Sequence, residues 1–151
     1  MHPEATSGRS GLAAVAAARP HSTSFMRAVL LIALGSALGG VSRYWVSGLV
    51  AERVGETFPW GTLVVNIVGS AIIGVLAAFG DSARVGLPAE ARLFLMVGVL
   101  GGFTTFSSFS LQTLRLMQDG DWMRAAVNVL LSVALCLIAV AAGYRLARLA
   151  G

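Results

Sequence analysis

Gly101-Gly102-Phe103-Thr104-Thr105-Phe106-Ser107-Ser108-Phe109-Ser110 lies inside an otherwise apolar segment and suits no ordinary membrane helix. Two adjacent glycines cost roughly 1 kcal/mol each against alanine in a helix interior, and two β-branched threonines follow, so the helix is predisposed to break here. A break inside a bilayer frees backbone carbonyls and amides that lipid cannot satisfy. It persists only where protein, water or an ion takes up those groups. The stretch therefore points to an ion path.

The rest of the chain agrees with a membrane setting. Of its 151 residues 56% are hydrophobic and only 12% are charged, well away from soluble-domain norms. The expected fold class is an all-α integral membrane protein of one domain. The net charge is +4, but all 11 basic residues are arginines and they are scattered. A nucleic-acid surface needs a basic stripe, so no nucleic-acid partner is expected. The single cysteine, Cys136, sits in an apolar run without a partner, which excludes an intrachain disulfide.

Residues 1–25 mix Ala, Ser, Gly, Pro and His with Glu4, Arg9 and Arg19, the composition of a disordered extension. Leu12 to Ala18 is a short apolar run, yet Glu4 before it and Arg19-Pro20 after it do not suit a cleaved signal. The four-helix transmembrane domain is expected over 26–151. Its first span runs from Ala28 to Val50, long enough at ~1.5 Å per residue to cross a hydrocarbon core of about 30 Å. After a polar loop, Phe58-Pro59-Trp60 opens a second span to Phe79, with proline at the helix start and aromatics at interface depth. The third span, Ala91 to about Met117, contains the opening stretch and is predicted to break near its middle. Gln118-Asp119-Gly120-Asp121 turns the chain into a fourth span from Trp122 to about Leu146.

Four spans put both termini on one side. Arg27, Arg84, Arg92, Arg145 and Arg148 then face Arg43, Arg53, Arg115 and Arg124, five against four. Arg9 and Arg19 of the extension, where they count, tip the balance toward termini inside; without them the chain has no strong reason to choose one orientation, which makes insertion both ways and an antiparallel, dual-topology dimer a live hypothesis.

Small residues line the first span at Gly35, Ser36, Gly39, Gly40, Ser47 and Gly48 and the second at Gly69, Ser70 and Gly74, a pattern that lets helix backbones approach closely. Asn66 is the one carboxamide of the second span. Taken alone it suits either an interhelical hydrogen bond or a path. Asn128, Ser132 and Cys136 form a polar stripe at i, i+4 and i+8 of the fourth span, where interhelical bonding is the ordinary explanation. Phe106 and Phe109 share a face beyond the break, beside the hydroxyls of Thr105, Ser107 and Ser108. What is missing also discriminates. No Asp or Glu lies within a span, so a proton-coupled exporter has no membrane carboxylate. Histidine occurs only at His2 and His21, and there is no GxxxxGK loop, which leaves an enzyme no machinery. Hydroxyls, an amide, an arginine and phenyl edges remain, and these suit an anion.

With Gly39-Gly40-Val41-Ser42-Arg43-Tyr44, then Phe58-Pro59-Trp60-Gly61-Thr62-Leu63-Val64-Val65-Asn66 running on to Gly69-Ser70, then Gly101 to Phe109, the chain closely resembles the Fluc/CrcB family of fluoride channels. The likeness covers roughly Arg27 to Leu149. It implies an antiparallel homodimer of four-helix subunits with two pores that conduct fluoride passively, so that the cell sheds it. It implies a structural sodium ion at the dimer centre, held by the carbonyls of Gly101 and Thr104 from both subunits. That donor set agrees with a hard cation, which takes oxygen ligands. The family's pore residues match Asn66, Phe106 and Phe109. Its hydroxyl track matches Ser107 and Ser108 with Ser132 on the fourth helix, and its first-span arginine matches Arg43, expected near the wet end of the path. The motif reads Phe-Ser-Ser-Phe where Phe-Ser-Thr-Phe is common, and Cys136 stands where a second serine is often seen. The arginine-only basic set and alanine richness fit a high-GC bacterial genome. The expected location is the plasma membrane of a bacterium, the inner one where there are two.

Overall fold

The computed structural model describes residues 23–81 and 86–150, and all regular structure among them is helical. Four helical stretches are long and apolar enough to span a bilayer: Thr23–Val54, Trp60–Gly80, Ala89–Gln118 and Trp122–Ala150. Each is longer than the span expected from the sequence because polar end residues continue the helix. Glu52 and Glu90, outside the apolar windows, are both helical. The extension expected over 1–25 lies outside the described residues as far as residue 22, and α1 (Thr23–Val54) begins just before its end.

A tight turn closes α1, where Gly55 takes a φ of +88° and donates its N–H to the Ala51 carbonyl at 2.8 Å. Phe58 and Trp60 then pack with ring centroids 4.7 Å apart, flanking Pro59 where α2 (Trp60–Asp81) begins. The third span opens as α3 (Ala89–Arg92), widens into a π-helical stretch (Leu93–Leu100) and returns to one turn of α-helix as α4 (Gly101–Phe103). Thr104 and Thr105 are extended, with φ,ψ of −80°,156° and −152°,110°, and winding resumes as α5 (Phe106–Gln118). Gly120, at φ +79°, turns the chain into α6 (Trp122–Ala150).

Small residues let these helices meet backbone to backbone. The buried residues of α1 are Gly35 and Gly39. A methyl on Gly35 would lie 2.6 Å from the Phe94 carbonyl oxygen, and one on Gly39 would collide with the Val99 carbonyl. α2 meets α6 the same way: Gly74 faces Val140, and Gly143 faces Ala71. Gly40 and Gly48, from the same run of small residues, have nothing within 4 Å of a Cβ position. Leu30, Leu34, Leu38, Val41 and Trp45 are exposed along α1, the apolar surface expected of a helix among lipid tails or against another subunit.

Candidate functional site

The pair of glycines at 101 and 102 stays helical, and the winding stops two residues later. Gly102 serves close packing: a Cβ there would lie 2.5 Å from the Ser36 carbonyl oxygen. The interruption falls on Thr104 and Thr105, whose branched Cβ atoms favour extended backbone.

Each freed group near the interruption has an identifiable fate. Thr104 turns both its N–H and its hydroxyl back onto the Leu100 carbonyl, each at 2.9 Å. Gly69 on α2 has no side chain where the Thr104 methyl sits, so the two elements fit. In a continuous helix the Thr105 N–H would bond the Gly101 carbonyl. Here it donates instead to Asn66 Oδ1 at 2.8 Å, and Asn66 Nδ2 donates to the Thr105 carbonyl at 3.1 Å. The Thr105 hydroxyl caps α5 by accepting the Ser108 N–H at 3.1 Å and donates to Ser108 Oγ at 3.0 Å. Ser107 Oγ lies 3.3 Å from the same hydroxyl. Arg43 Nε donates to the Gly102 carbonyl at 3.1 Å, at the negative end of the upstream half-helix.

Two cavities flank Thr105. One is an apolar groove of about 450 Å³ lined by Asn66, Ser70, Met96, Gly101, Thr104, Phe106, Phe109, Ser132 and Cys136, among others. The other is a larger polar cavity of about 1050 Å³, lined by Arg43, Ser108, Gln112 and Arg115 together with rim carboxylates that include Glu52, Glu56, Asp119 and Asp121. Thr105 lines both. The candidates from the sequence thus divide. Asn66, Phe106, Phe109, Ser132, Gly101 and Thr104 gather round the groove, Arg43 and Ser108 round the polar cavity, and Ser107 lines neither. Arg43, expected at a wet end, is half-buried and pinned to the interruption while also lining that cavity. Cys136, set aside on the sequence alone, lines the groove beside Ser132.

Sequence reasoning named the Thr105 hydroxyl without its bridging part, and it missed Gln112. Thr105 joins Asn66 to Ser108, and a Thr-x-x-Ser pattern before an apolar helix is the signal for its capping part. Gln112 leaves its Oε1 buried without a hydrogen-bond partner, and nothing in the sequence marks it. Phe106 and Phe109 pack at a tilt with centroids 5.2 Å apart, yet Phe106 is 77% exposed and Phe109 only 8%. Among the described residues no group of three or more His, Cys, Asp and Glu could hold a metal ion. The Gly101 and Thr104 carbonyls take part in none of the hydrogen bonds described around the interruption.

Four apolar helices, with neutral donors gathered at an interruption of the third span, define a multi-pass membrane protein built round a polar site at mid-span. Residues 30–144 match the family described as CrcB-like protein, Camphor Resistance (CrcB), and the chain belongs to that family. It is 60% identical over 115 residues to the fluoride-specific ion channel FluC of Paramagnetospirillum magneticum, covering 76% of this chain and 90% of the relative. It is 61% identical over 120 residues to the protein of the same name from Opitutus terrae, covering 79% and 91%. With that from Rhodospirillum rubrum it shares 57% over 116 residues, covering 76% and 90%.

Proposed function

We propose that this chain is a fluoride-selective channel that lets fluoride leave the cell passively, lowering its cytoplasmic concentration and toxicity. It moves an ion and carries out no covalent chemistry. Its family, and relatives at 57–61% identity named as fluoride-specific channels, support the identity of the ion. The single observation that carries the route is Thr105, which lines both the polar cavity and the groove and so stands where an ion would pass between them.

Fluoride is small and strongly hydrated, so a narrow path must replace its water with donors. Asn66 Nδ2 has a second N–H beyond the one given to Thr105, and Ser108 and Ser132 carry hydroxyls. The edges of Phe106 and Phe109 carry the positive rim of the phenyl quadrupole. The N-terminus of α5 adds the positive end of a half-helix at the same point. We read the interruption as a membrane helix broken to present these groups. Arg43 and Arg115 in the polar cavity favour an anion. Ser107, turned toward Thr105, belongs to the same hydroxyl set.

The groove is open along one side of the subunit, and a second copy in the opposite orientation would wall it, making an antiparallel homodimer. The exposure of Phe106 and the near-balanced arginine count support that arrangement. The residues present fit the structural sodium of the family: carbonyls of Gly101 and Thr104 from each copy are neutral oxygen ligands of the kind a hard cation takes. When bound, the ion supplies a fixed positive charge that ties the copies together. The bacterial plasma membrane, inner where there are two, is the location that follows. Fluoride and chloride efflux from proteoliposomes of the purified protein tests the reading. Fluoride released with chloride retained supports it; equal release, or none, overturns it.

A further inference from the structure

The extended residues Thr104 and Thr105 have a mechanical consequence. α5 does not inherit its rotation about its own axis from the helix before it, because winding is lost between Phe103 and Phe106. Something else must set which way its side chains point. Asn128 on α6 is 2% exposed, and its Nδ2 donates to Thr113 Oγ1 at 2.8 Å. Thr113, 6% exposed, donates that hydroxyl to the Phe109 carbonyl at 2.8 Å. Thr113 and Phe109 are four apart on α5, and Asn128 and Ser132 are four apart on α6, so each pair shares a face. One turn from the hydrogen-bonded rung, Phe109 and Ser132 both line the groove.

We propose that Asn128 and Thr113 form a rotational lock that sets how α5 turns against α6, holding the Phe109 ring and the Ser132 hydroxyl on one groove as a determinant of anion selectivity. Neither residue lines the groove or the polar cavity, so both act by positioning. A one-residue slip would turn α5 by about 100° and carry Phe109 off the groove. An apolar surface alone tolerates such a turn, because several faces of a lipid-bathed helix are equally apolar. A buried amide does not: Thr113 keeps its bond to the Phe109 carbonyl in any rotation, but any other rotation takes its oxygen away from Asn128 and leaves that amide unpaired where no water can reach it. The lock also explains why the chain spends a carboxamide at a position that touches no route.

The inference rests on the channel reading, and the experiment separates the two. Fluoride and chloride efflux is measured from proteoliposomes of the full chain, wild type beside T113V, T113S and N128L. T113V removes the hydroxyl at nearly constant volume, and N128L removes the amide. The expected result is a fluoride-to-chloride efflux ratio at least threefold lower in T113V and in N128L, with T113S close to wild type. The double variant T113V/N128L should be no worse than either single one, because both break the same bond. A ratio unchanged in both single variants overturns the lock, while a wild type that releases no fluoride overturns the channel reading instead. Should T113V not fold, T113A and T113S give the same comparison by subtracting atoms only. Selectivity kept by serine and lost by alanine supports the lock, and selectivity kept by both overturns it.

Discussion

Asn66 holds both backbone groups of Thr105: its Nδ2 donates to the carbonyl at 3.1 Å and its Oδ1 accepts the N–H at 2.8 Å. The two bonds fix the amide's orientation, since the N–H can only face the oxygen and the carbonyl only the nitrogen. They have Asn66 bridge the interruption, and the proposed path would give it a second task, offering its remaining N–H to an ion. Asn66→Asp separates these. A carboxylate still accepts the Thr105 N–H, but it loses the donor to the carbonyl and sets a negative charge on the proposed path. Fluoride efflux should fall by roughly a hundredfold, the effect of about 3 kcal/mol on a barrier. Asn66→Ala strands two half-buried backbone groups of Thr105, at up to about 1 kcal/mol each, and should lower the unfolding temperature in detergent as well. If Asn66→Asp conducts like wild type, Asn66 is not on the path.

Gly39 and Gly40 are adjacent in sequence and opposite in consequence. A methyl on Gly39 would collide with the Val99 carbonyl, and backbone cannot yield as a side-chain tip can. Gly39→Ala should cost about 1–3 kcal/mol or more of stability, the range for overpacking. Nothing lies within 4 Å of the Gly40 Cβ position, so Gly40→Ala should leave stability within about 0.5 kcal/mol. Thermal unfolding of the two variants in detergent is the measurement. Equal losses would mean that α1 does not pack on Leu93–Leu100 through its Gly39 face.

Much of this was legible because a bilayer leaves few choices. Apolar length fixed the existence of four spans, and small residues four apart marked the faces at Gly35, Gly39 and Gly74. The site was partly legible. Asn66, Phe106, Phe109 and Ser132 are polar or aromatic exceptions on their helices and stand out for that reason, and they do gather on one groove. The position of the interruption was not. Glycine's low helix propensity and the branched threonines marked the stretch together, but Gly102 packs against Ser36, both glycines stay helical, and it is the threonines that depart. Long-range partners cannot be read from local pattern: Arg43 to Gly102 spans 59 positions, and a sequence shows only that the arginine is there.

Arg43 has one edge on the Gly102 carbonyl and the rest of its guanidinium at the polar cavity. Arg43→Lys keeps the charge and loses the planar donor geometry. Arg43→Gln keeps an N–H donor and loses the charge. Attraction of an anion toward a wet cavity is screened over about 10 Å at 0.1 M salt, whereas a hydrogen bond to a carbonyl is not. Efflux through the lysine variant should therefore be lowered several-fold at low and high salt alike. The glutamine variant should show an additional deficit that fades as salt rises. A lysine variant equal to wild type at every salt concentration would show that the bond to Gly102 is dispensable.

Phe106 and Phe109 touch one another but differ in burial, 77% against 8% exposed, and that difference predicts separable effects. Phe109 is packed within the subunit beneath the rung formed by Thr113 and Asn128, so shortening it opens a cavity. Phe109→Ala should cost about 3–5 kcal/mol of stability along with conduction. Phe106 contributes little to the fold of one subunit and much of the apolar wall of the groove. Phe106→Ile should leave the unfolding temperature of the solubilised protein nearly unchanged if measured where subunits are apart, yet cut fluoride efflux from liposomes by tenfold or more, about 1.4 kcal/mol on the barrier. Isoleucine keeps the apolar surface and removes the positive ring edge, so the loss reports on the edge rather than on greasiness. Fluoride efflux unaltered by Phe106→Ile would take that ring off the path and leave Asn66, Ser108 and Ser132 as the donors that select the ion.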